Sequence, residues 1–177
     1  MRASKPSSFR KAFVGLGSNL GDRLRYCSEA LIALRKTPGI ILRRYSRVYL
    51  TPPVGFSSPN WFYNLACELE TALSPQALLF RLWQIEACFG RRRKGKITDR
   101  TLDLDLLLYE GFCAQGSILS VPHPRLHERA FVLFPLAELI PHEKHPILKK
   151  SFSSLLAALP PEEKRNIKAL SLLPCLD

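Results

Sequence analysis

The chain has 177 residues, of which 46% are hydrophobic and 23% charged, a composition typical of one globular domain rather than of a disordered protein. Lysine and arginine number 26 against 15 acidic residues, and this excess predicts an anionic partner: nucleic acid, an acidic membrane surface or a phosphorylated small molecule. Five cysteines without a CxxC pair predict reduced thiols and a cytoplasmic protein. No apolar run reaches the roughly 18 residues of a transmembrane helix, so we expect no membrane partner.

The first third of the chain predicts a strand, a helix and a second strand. Residues 1–10 are expected to form an exposed basic arm, and the following apolar stretch predicts a buried strand that ends in glycines. Asp22 is placed to cap a helix whose apolar residues repeat every three or four positions. Residues 40–50 predict a further strand, and the proline-rich segment 51–60 predicts a loop.

The middle of the chain repeats this order. Residues 61–71 predict a strand, Ser74 caps a helix that ends near Phe89, and residues 101–109 form the clearest strand pattern of the chain. The order β-α-β-β-α-β predicts an α+β fold of the ferredoxin-like class, with an antiparallel sheet and two helices packed on one face.

The last part of the chain predicts helices. Residues 124–140 are expected to form helical turns that belong to the main domain. Residues 142–177 are expected to be a helical extension or a linker, packed on the same domain. Within it, His142 and His145 stand among prolines, and we expect both at the surface without a specific role.

The strand at 101–109 carries two carboxylates on one face. Side chains alternate along a strand, so Asp103 and Asp105 leave the same face about 7 Å apart, whereas four leucines (Leu102, Leu104, Leu106 and Leu108) share the opposite, core-facing parity. A divalent cation removes the repulsion between such carboxylates, and Mg²⁺ binds through one or two carboxylates plus substrate phosphates. The alternative is the solvated polar face of an edge strand.

A cationic loop precedes this strand. Residues 91–100 contain six cations, which suits phosphoryl transfer because arginine and lysine stabilise the charge of a transferring phosphoryl group. The alternative is an ordinary solvated charge run. Glu86 supports the first interpretation, since it lies on an apolar helix face where an unpaired acid is costly.

Other motifs exclude some functions. The segment from Gly15 to Gly21 matches neither a Walker loop nor a dinucleotide fingerprint and predicts a tight strand-to-helix turn. His123 and His127 stand four residues apart, a spacing that can hold a metal ion on a helix. Pro124 places the start of the helix after His123, which argues against a zinc pair, and a phosphate contact by His123 is the preferred interpretation. Carboxylates on the last strand also argue against nucleic acid, although ferredoxin-like sheets can bind RNA through aromatic residues.

Five separated motifs resemble one known family. VGLGSNLGDR, YSRVYLTPPVGF, the strand WFYNLACELE with Asn64, GRRRKGKITDRTLDLDLLLY and VPHPRLHERAFVLFPLAEL follow each other as in 6-hydroxymethyl-7,8-dihydropterin pyrophosphokinase, over about residues 11–141. The resemblance implies a ferredoxin-like fold. It also implies transfer of the diphosphoryl group of ATP to the hydroxymethyl oxygen of the pterin, with release of AMP, in folate biosynthesis.

The resemblance also implies site residues. Those matching the family's catalytic and ATP-contacting positions are Arg91, Arg93, Arg100, Asp103, Asp105, Glu86, His123 and Arg129. Of these, Asp103 and Asp105 are implied to hold two Mg²⁺ ions, and Arg91 and Arg100 to act in catalysis with them. The residues matching the pterin subsite are Thr51, Val54, Phe62, Asn64, Asp103 and Phe131.

Two other functions remain open from the sequence. One is a phosphotransferase of the same fold that acts on another heterocyclic alcohol, and the other is an RNA-binding module. Family resemblance further suggests dihydropteroate synthase as a fused or neighbouring enzyme.

Overall fold

The computed structural model describes residues 9–91, 97–171, 174 and 176. Its strands are β1 (Arg10–Ser18), β2 (Ile40–Tyr45), β3 (Tyr49–Thr51), β4 (Phe62–Thr71), β5 (Asp103–Tyr109), β6 (Ala114–Gln115), β7 (Ser120–Val121) and β8 (Lys168–Ala169). Its helices are α1 (Arg23–Arg35), α2 (Pro75–Cys88), α3 (Ala130–Leu139), α4 (Phe152–Ala158) and α5 (Pro161–Lys164), with a 3-10 turn at Leu126–Glu128. The order β1-α1-β2/β3-β4-α2-β5 confirms the predicted ferredoxin-like core.

The predicted helix starts are confirmed by their caps. The side chain of Asp22 accepts a hydrogen bond from the backbone N–H of Arg25 at 3.1 Å, and Ser74 accepts one from Ala77 at 3.2 Å. Each cap satisfies one of the amide groups that a first helical turn leaves without an intrahelical partner.

The main sheet is antiparallel, with strand order β5-β1-β4-β3-β8, and β2 pairs with the remaining length of β4. The single strand predicted over residues 40–50 was wrong, because the structure divides it into β2 and β3. The hydroxyl of Ser46 accepts the backbone N–H of Ala66 at 3.0 Å, and this side-chain bond takes the place of a backbone bond in the ladder.

The sheet has a hydrophobic cluster on each face. Helices α1 and α2 cover the first cluster, as predicted, and it includes Val14, Leu104 and Leu106. Helices α3 and α4 cover the second, which contains Leu133 and Phe152. Helices therefore lie on both faces of the sheet. The β-α-β-β-α-β order accounts for α1 and α2 only, whereas α3 and α4 follow it in the chain and supply the second apolar surface.

A bulge near the end of β5 changes the direction of its side chains. Val14 pairs with Leu106, whereas the neighbouring Phe13 pairs with Leu108, so that Leu107 is an additional residue in β5. Leu107 and Leu108 both pack in the second cluster. The expectation that Leu108 shares the face of Leu106 was therefore wrong.

Candidate active site

Glycines on the central strand open a pocket on the sheet face that carries the second cluster. In the register of the sheet, Gly17 lies between Asp103 of β5 and Asn64 of β4, and Gly15 lies between Asp105 and Ala66. Since neither glycine has a side chain, space remains above β1. The pocket has a volume of about 540 Å³, part of it open to solvent.

The pocket brings together all the residues predicted for the pterin subsite. Its lining includes Thr51, Val54, Phe62, Asn64, Asp103 and Phe131. The side-chain amide of Asn64 donates to the Thr51 hydroxyl at 2.7 Å, and both residues are buried. Phe56 also lines the pocket and contacts Phe62 edge-to-face, with 6.2 Å between ring centroids. Phe56 was not predicted, since it lies in a proline-rich loop where neither a helical nor a strand period indicates which side chains face inward.

Asp103 and Asp105 both face this pocket, as the alternation along β5 predicts. The Asp103 carboxylate forms ion pairs with Arg91 and with Arg100, the latter at 2.7 Å. The guanidinium carbon of Arg100 also lies 4.9 Å from the centre of the Phe62 ring. Arg100 thus contacts both the carboxylate and the aromatic part of the pocket.

The two carboxylates differ in their electrostatic environment. Burial raises the pKa of Asp105 to about 7, and the neighbouring carboxylates of Asp103 and Glu86 contribute in the same direction. Burial also opposes ionisation of Asp103, but the charges of Arg100 and Arg91 outweigh it and lower the Asp103 pKa. The protein's cations therefore compensate a negative charge on Asp105 only weakly, whereas they compensate that of Asp103 strongly.

Glu86 is almost fully buried in α2, where it connects the helix to β5. Its Oε1 accepts the backbone N–H of Leu104 at 2.7 Å and pairs with the Arg91 guanidinium at 3.1 Å. Arg91 also donates to the carbonyl oxygen of Leu102 at 3.2 Å. Glu86 and Arg91 thereby fix the strand that carries both aspartates.

Arg129 and His123 interact electrostatically with the carboxylates, since the charge of Arg129 acts on Asp105 and that of Asp103 acts on His123. Burial and the charge of Arg129 lower the pKa of His123 to about 4, so its imidazole is neutral at pH 7. Burial and Arg125 lower the pKa of Arg129, whereas Asp105 raises it. The Nε atoms of Arg100 and Arg129 are buried and have no hydrogen-bond partner in the described part of the chain. Arg93, also predicted to contact ATP, lies outside the described residues.

The sequence analysis missed a hydrogen-bonded network that holds Arg100. The Asn19 side chain is 3% exposed and accepts the backbone N–H of Arg100 at 2.7 Å. Its amide donates to Asp99 at 2.6 Å, and the amide of Asn60 donates to the same carboxylate at 2.7 Å. In the sequence, the only sign of this network is the polar pair Ser18 and Asn19 at the end of a buried strand.

The expectation for His145 was wrong, because this residue is buried. Its Nδ1 accepts the backbone N–H groups of Ile147 and Leu148, and its ring contacts that of Phe152. The histidine thus orders the turn that leads into α4.

The described residues give two further negative findings. They contain no group of three His, Cys, Asp or Glu side chains arranged to hold a metal ion. Nor is any described helix both long enough and apolar enough to cross a bilayer.

Comparison with known proteins identifies the family. The family model for 7,8-dihydro-6-hydroxymethylpterin-pyrophosphokinase (HPPK) matches residues 13–141. The chain belongs to the HPPK family. The HPPK of Methylorubrum extorquens is 43% identical over 131 residues, which cover 74% of this chain and 83% of that protein. The HPPK of Bacillus subtilis is 42% identical over 128 residues, which cover 72% of this chain and 77% of that protein.

Solved structures agree on the HPPK fold. The HPPK-DHPS of Plasmodium falciparum aligns with a TM-score of 0.75 at 16% identity, over 93% of this chain. The chain spans about half of that structure, 48% of its length.

Proposed function

We infer that this HPPK catalyses transfer of the diphosphoryl group of ATP to the hydroxymethyl oxygen of 6-hydroxymethyl-7,8-dihydropterin, with release of AMP. One observation carries this proposal: on a chain that belongs to the HPPK family, a single pocket joins an amide and aromatic subsite to two carboxylates and the cations around them. The amide and aromatic subsite suits a flat, amide-like ring, and the carboxylates with their cations suit a charged polyphosphate. A reaction between these two ligands requires the two subsites to lie side by side.

The pterin subsite uses shape and hydrogen bonding. Phe62 and Phe131 supply apolar faces for the ring, and Asn64, held by Thr51, presents its amide oxygen to the ring's donors. The Val54 backbone and Asp103 complete the rim. The glycine at position 17 lets the ligand approach the sheet between Asp103 and Asn64.

Asp103 and Asp105 are proposed as the residues that would hold two Mg²⁺ ions when ATP binds. The donor set fits this ion, because both groups are oxygen ligands that face one pocket and because Asp105 lacks strong compensation by protein cations. When bound, Mg²⁺ would neutralise phosphate charge at the reacting centre.

The remaining residues orient ATP and stabilise charge. The hydroxymethyl oxygen attacks the β-phosphorus in line, the bond from that phosphorus to the oxygen bridging the α- and β-phosphates breaks, and the hydroxyl proton is released. No covalent intermediate with the protein is formed. Arg91 and Arg100 lie beside Asp103, where they can stabilise the transferring group. Arg129 and His123, with Arg93, are proposed phosphate contacts, and Glu86 holds Arg91 in place.

The setting of the enzyme is also a proposal. Among the described residues, Cys27, Cys67, Cys88 and Cys113 are free, which supports a cytoplasmic protein. A dihydropteroate synthase, fused or neighbouring, is the proposed consumer of the product. The proposed division of the chain remains an arm at residues 1–10, the catalytic domain at 11–141 and an extension at 142–177.

The test is AMP formation from ATP and Mg²⁺ with and without the pterin, with ADP measured in parallel. We expect pterin-dependent AMP and no ADP. ADP would instead indicate a phosphotransferase, and Mg²⁺-independent, salt-sensitive RNA affinity without turnover would indicate an RNA-binding module.

Asp103→Asn and Asp105→Asn should each abolish turnover while circular dichroism remains unchanged. Glu29→Gln, which removes an exposed acid on α1, is the matched control. Near-normal AMP release by either aspartate variant would contradict the metal assignment.

A further inference from the structure

The C-terminal segment forms part of the main sheet, although it lies beyond the residues that match the family model. In β8, Ala169 pairs with Tyr49 and Lys168 pairs with Leu50. The backbone N–H of Leu170 donates to the carbonyl oxygen of Val48 at 2.8 Å. The segment is therefore joined to β3 by backbone hydrogen bonds and not only by side-chain contacts.

Strand β3 is short and is paired along both edges. It consists of Tyr49–Thr51 only, and its other edge pairs with β4 through the same three residues. Its last residue, Thr51, lines the pocket and accepts the hydrogen bond that orients Asn64. A shift of β3 would therefore move a wall of the pterin subsite directly.

The segment is anchored on both faces of the sheet. Ile167 packs against the second hydrophobic cluster and Leu170 against the first. The amine of Lys164 donates to the carbonyl oxygen of Ala157 at 3.0 Å, which ties α5 to α4. These contacts give the segment a fixed position from which it can hold β3.

The segment also borders the loop that follows β3. A groove beside the pterin pocket is lined by three parts of the chain: Thr51–Gly55, residues between Arg125 and Phe131, and, from the C-terminal segment, Glu162, Glu163, Asn166 and Ile167. The loop reaches the pterin pocket through Pro52 and Val54, which line both spaces. The C-terminal segment thus lies next to β3 and next to the loop that follows it, and both contribute residues to the wall of the pterin pocket.

We propose that residues 160–170, the C-terminal strap, are a positioning element of the pterin subsite: by pairing with β3 they fix Thr51 and, through it, Asn64. This inference rests on the proposed function. The backbone of the strap pairs with β3, which carries the pterin residue Thr51. Arg129, a proposed phosphate contact, lines the same groove as Glu162 and Ile167, so we expect a large effect on the pterin and a smaller one on ATP.

The test compares two substitutions at one position in the full chain. Leu170→Pro removes the backbone N–H that bonds to Val48, whereas Leu170→Ala keeps this donor and loses more of the side chain. We expect Leu170→Pro to raise KM for the pterin about fivefold, the effect of one lost backbone hydrogen bond, with KM for ATP within about twofold of wild type. Leu170→Ala should lower Tm but leave both KM values nearly unchanged.

A purely structural role predicts a different pattern. It would move both KM values together, or give the two Leu170 variants the same kinetics, and either result would overturn the proposal. If Leu170→Pro does not fold, Ala169→Gly replaces it; this exposed residue loses no packing, and the weaker strand should raise KM for the pterin about twofold. An unchanged KM there would equally overturn the proposal. Wild-type protein without pterin-dependent AMP would instead refute the proposed function.

Discussion

Gly17 offers a precise way to disturb the pterin subsite without touching a charged group. A Cβ at this position would lie 2.6 Å from Oδ1 of Asn64 and 3.6 Å from Cδ1 of Phe62. To reach an ordinary contact of about 3.4 Å, the Asn64 side chain must move by about 0.8 Å. Directed away from Thr51, a movement of this size would lengthen the 2.7 Å hydrogen bond to Thr51 to about 3.5 Å and weaken it strongly.

Gly17→Ala should therefore raise KM for the pterin about tenfold. This factor corresponds to about 1.4 kcal/mol, within the range for one lost hydrogen bond and a buried amide left partly unsatisfied. The assay is initial-rate AMP formation as a function of pterin concentration at saturating ATP. KM for ATP should change much less, because the contact lies on the pterin side of Asp103.

Gly15→Ala is the matched control. It makes the same change two residues earlier on the same strand, where the new Cβ would lie 3.4 Å from Cδ1 of Leu107 and at least 3.5 Å from other atoms outside the neighbouring residues. This variant should keep KM for the pterin within about threefold of wild type. If Gly17→Ala shows no larger effect than Gly15→Ala, the proposed role of Asn64 is refuted.

Two further predictions concern residues around the pocket. Asn19→Ala should lower kcat about tenfold, because the Arg100 backbone loses its side-chain acceptor. Asn60→Ala removes only the side-chain bond to Asp99 and keeps the backbone carbonyl that accepts from Asn19, so it should lower kcat about twofold; equal kinetics of the two variants would contradict this. Burial lowers the pKa values of His145 and His123, so between pH 7 and pH 5 the unfolded chain takes up protons at these positions that the folded chain does not. The contribution of these histidines to stability should fall over this interval, for His123 by up to about 1.4 kcal/mol per pH unit, whereas Asp105, with its pKa raised to about 7, contributes in the opposite direction. In urea unfolding, His145→Asn should lose less stability over this interval than wild type, and an equal loss would exclude His145 as a contributor.

Local patterns were sufficient to predict the core of the fold. The caps at Asp22 and Ser74 depend on residues three positions away, and the shared face of Asp103 and Asp105 follows from the two-residue period of a strand. Such signals lie within one turn or one strand. They are therefore visible in a single sequence, as were the separated motifs that indicated the family.

Features that depend on distant partners could not be predicted in this way. Where β2 and β3 divide, the Ser46 hydroxyl bonds to the backbone N–H of Ala66, 20 residues away in the sequence. The network of Asn19 joins residues up to 81 positions apart. Likewise, His145 is buried because α4 folds back on the second cluster, which no pattern around that histidine indicates.

Helix α3 has a consequence for genetic studies of this protein. Phe131 lies in the first turn of α3, and Arg129 directly precedes the helix. Leu133 and Leu136 belong to the same helix and are fully buried. Replacing either leucine by alanine costs about 2–5 kcal/mol, and it would also displace the pocket wall that the helix carries. In a screen for loss-of-function alleles, such core substitutions would resemble catalytic ones. A thermal melt separates the two classes, since only the core alleles lower Tm by several degrees.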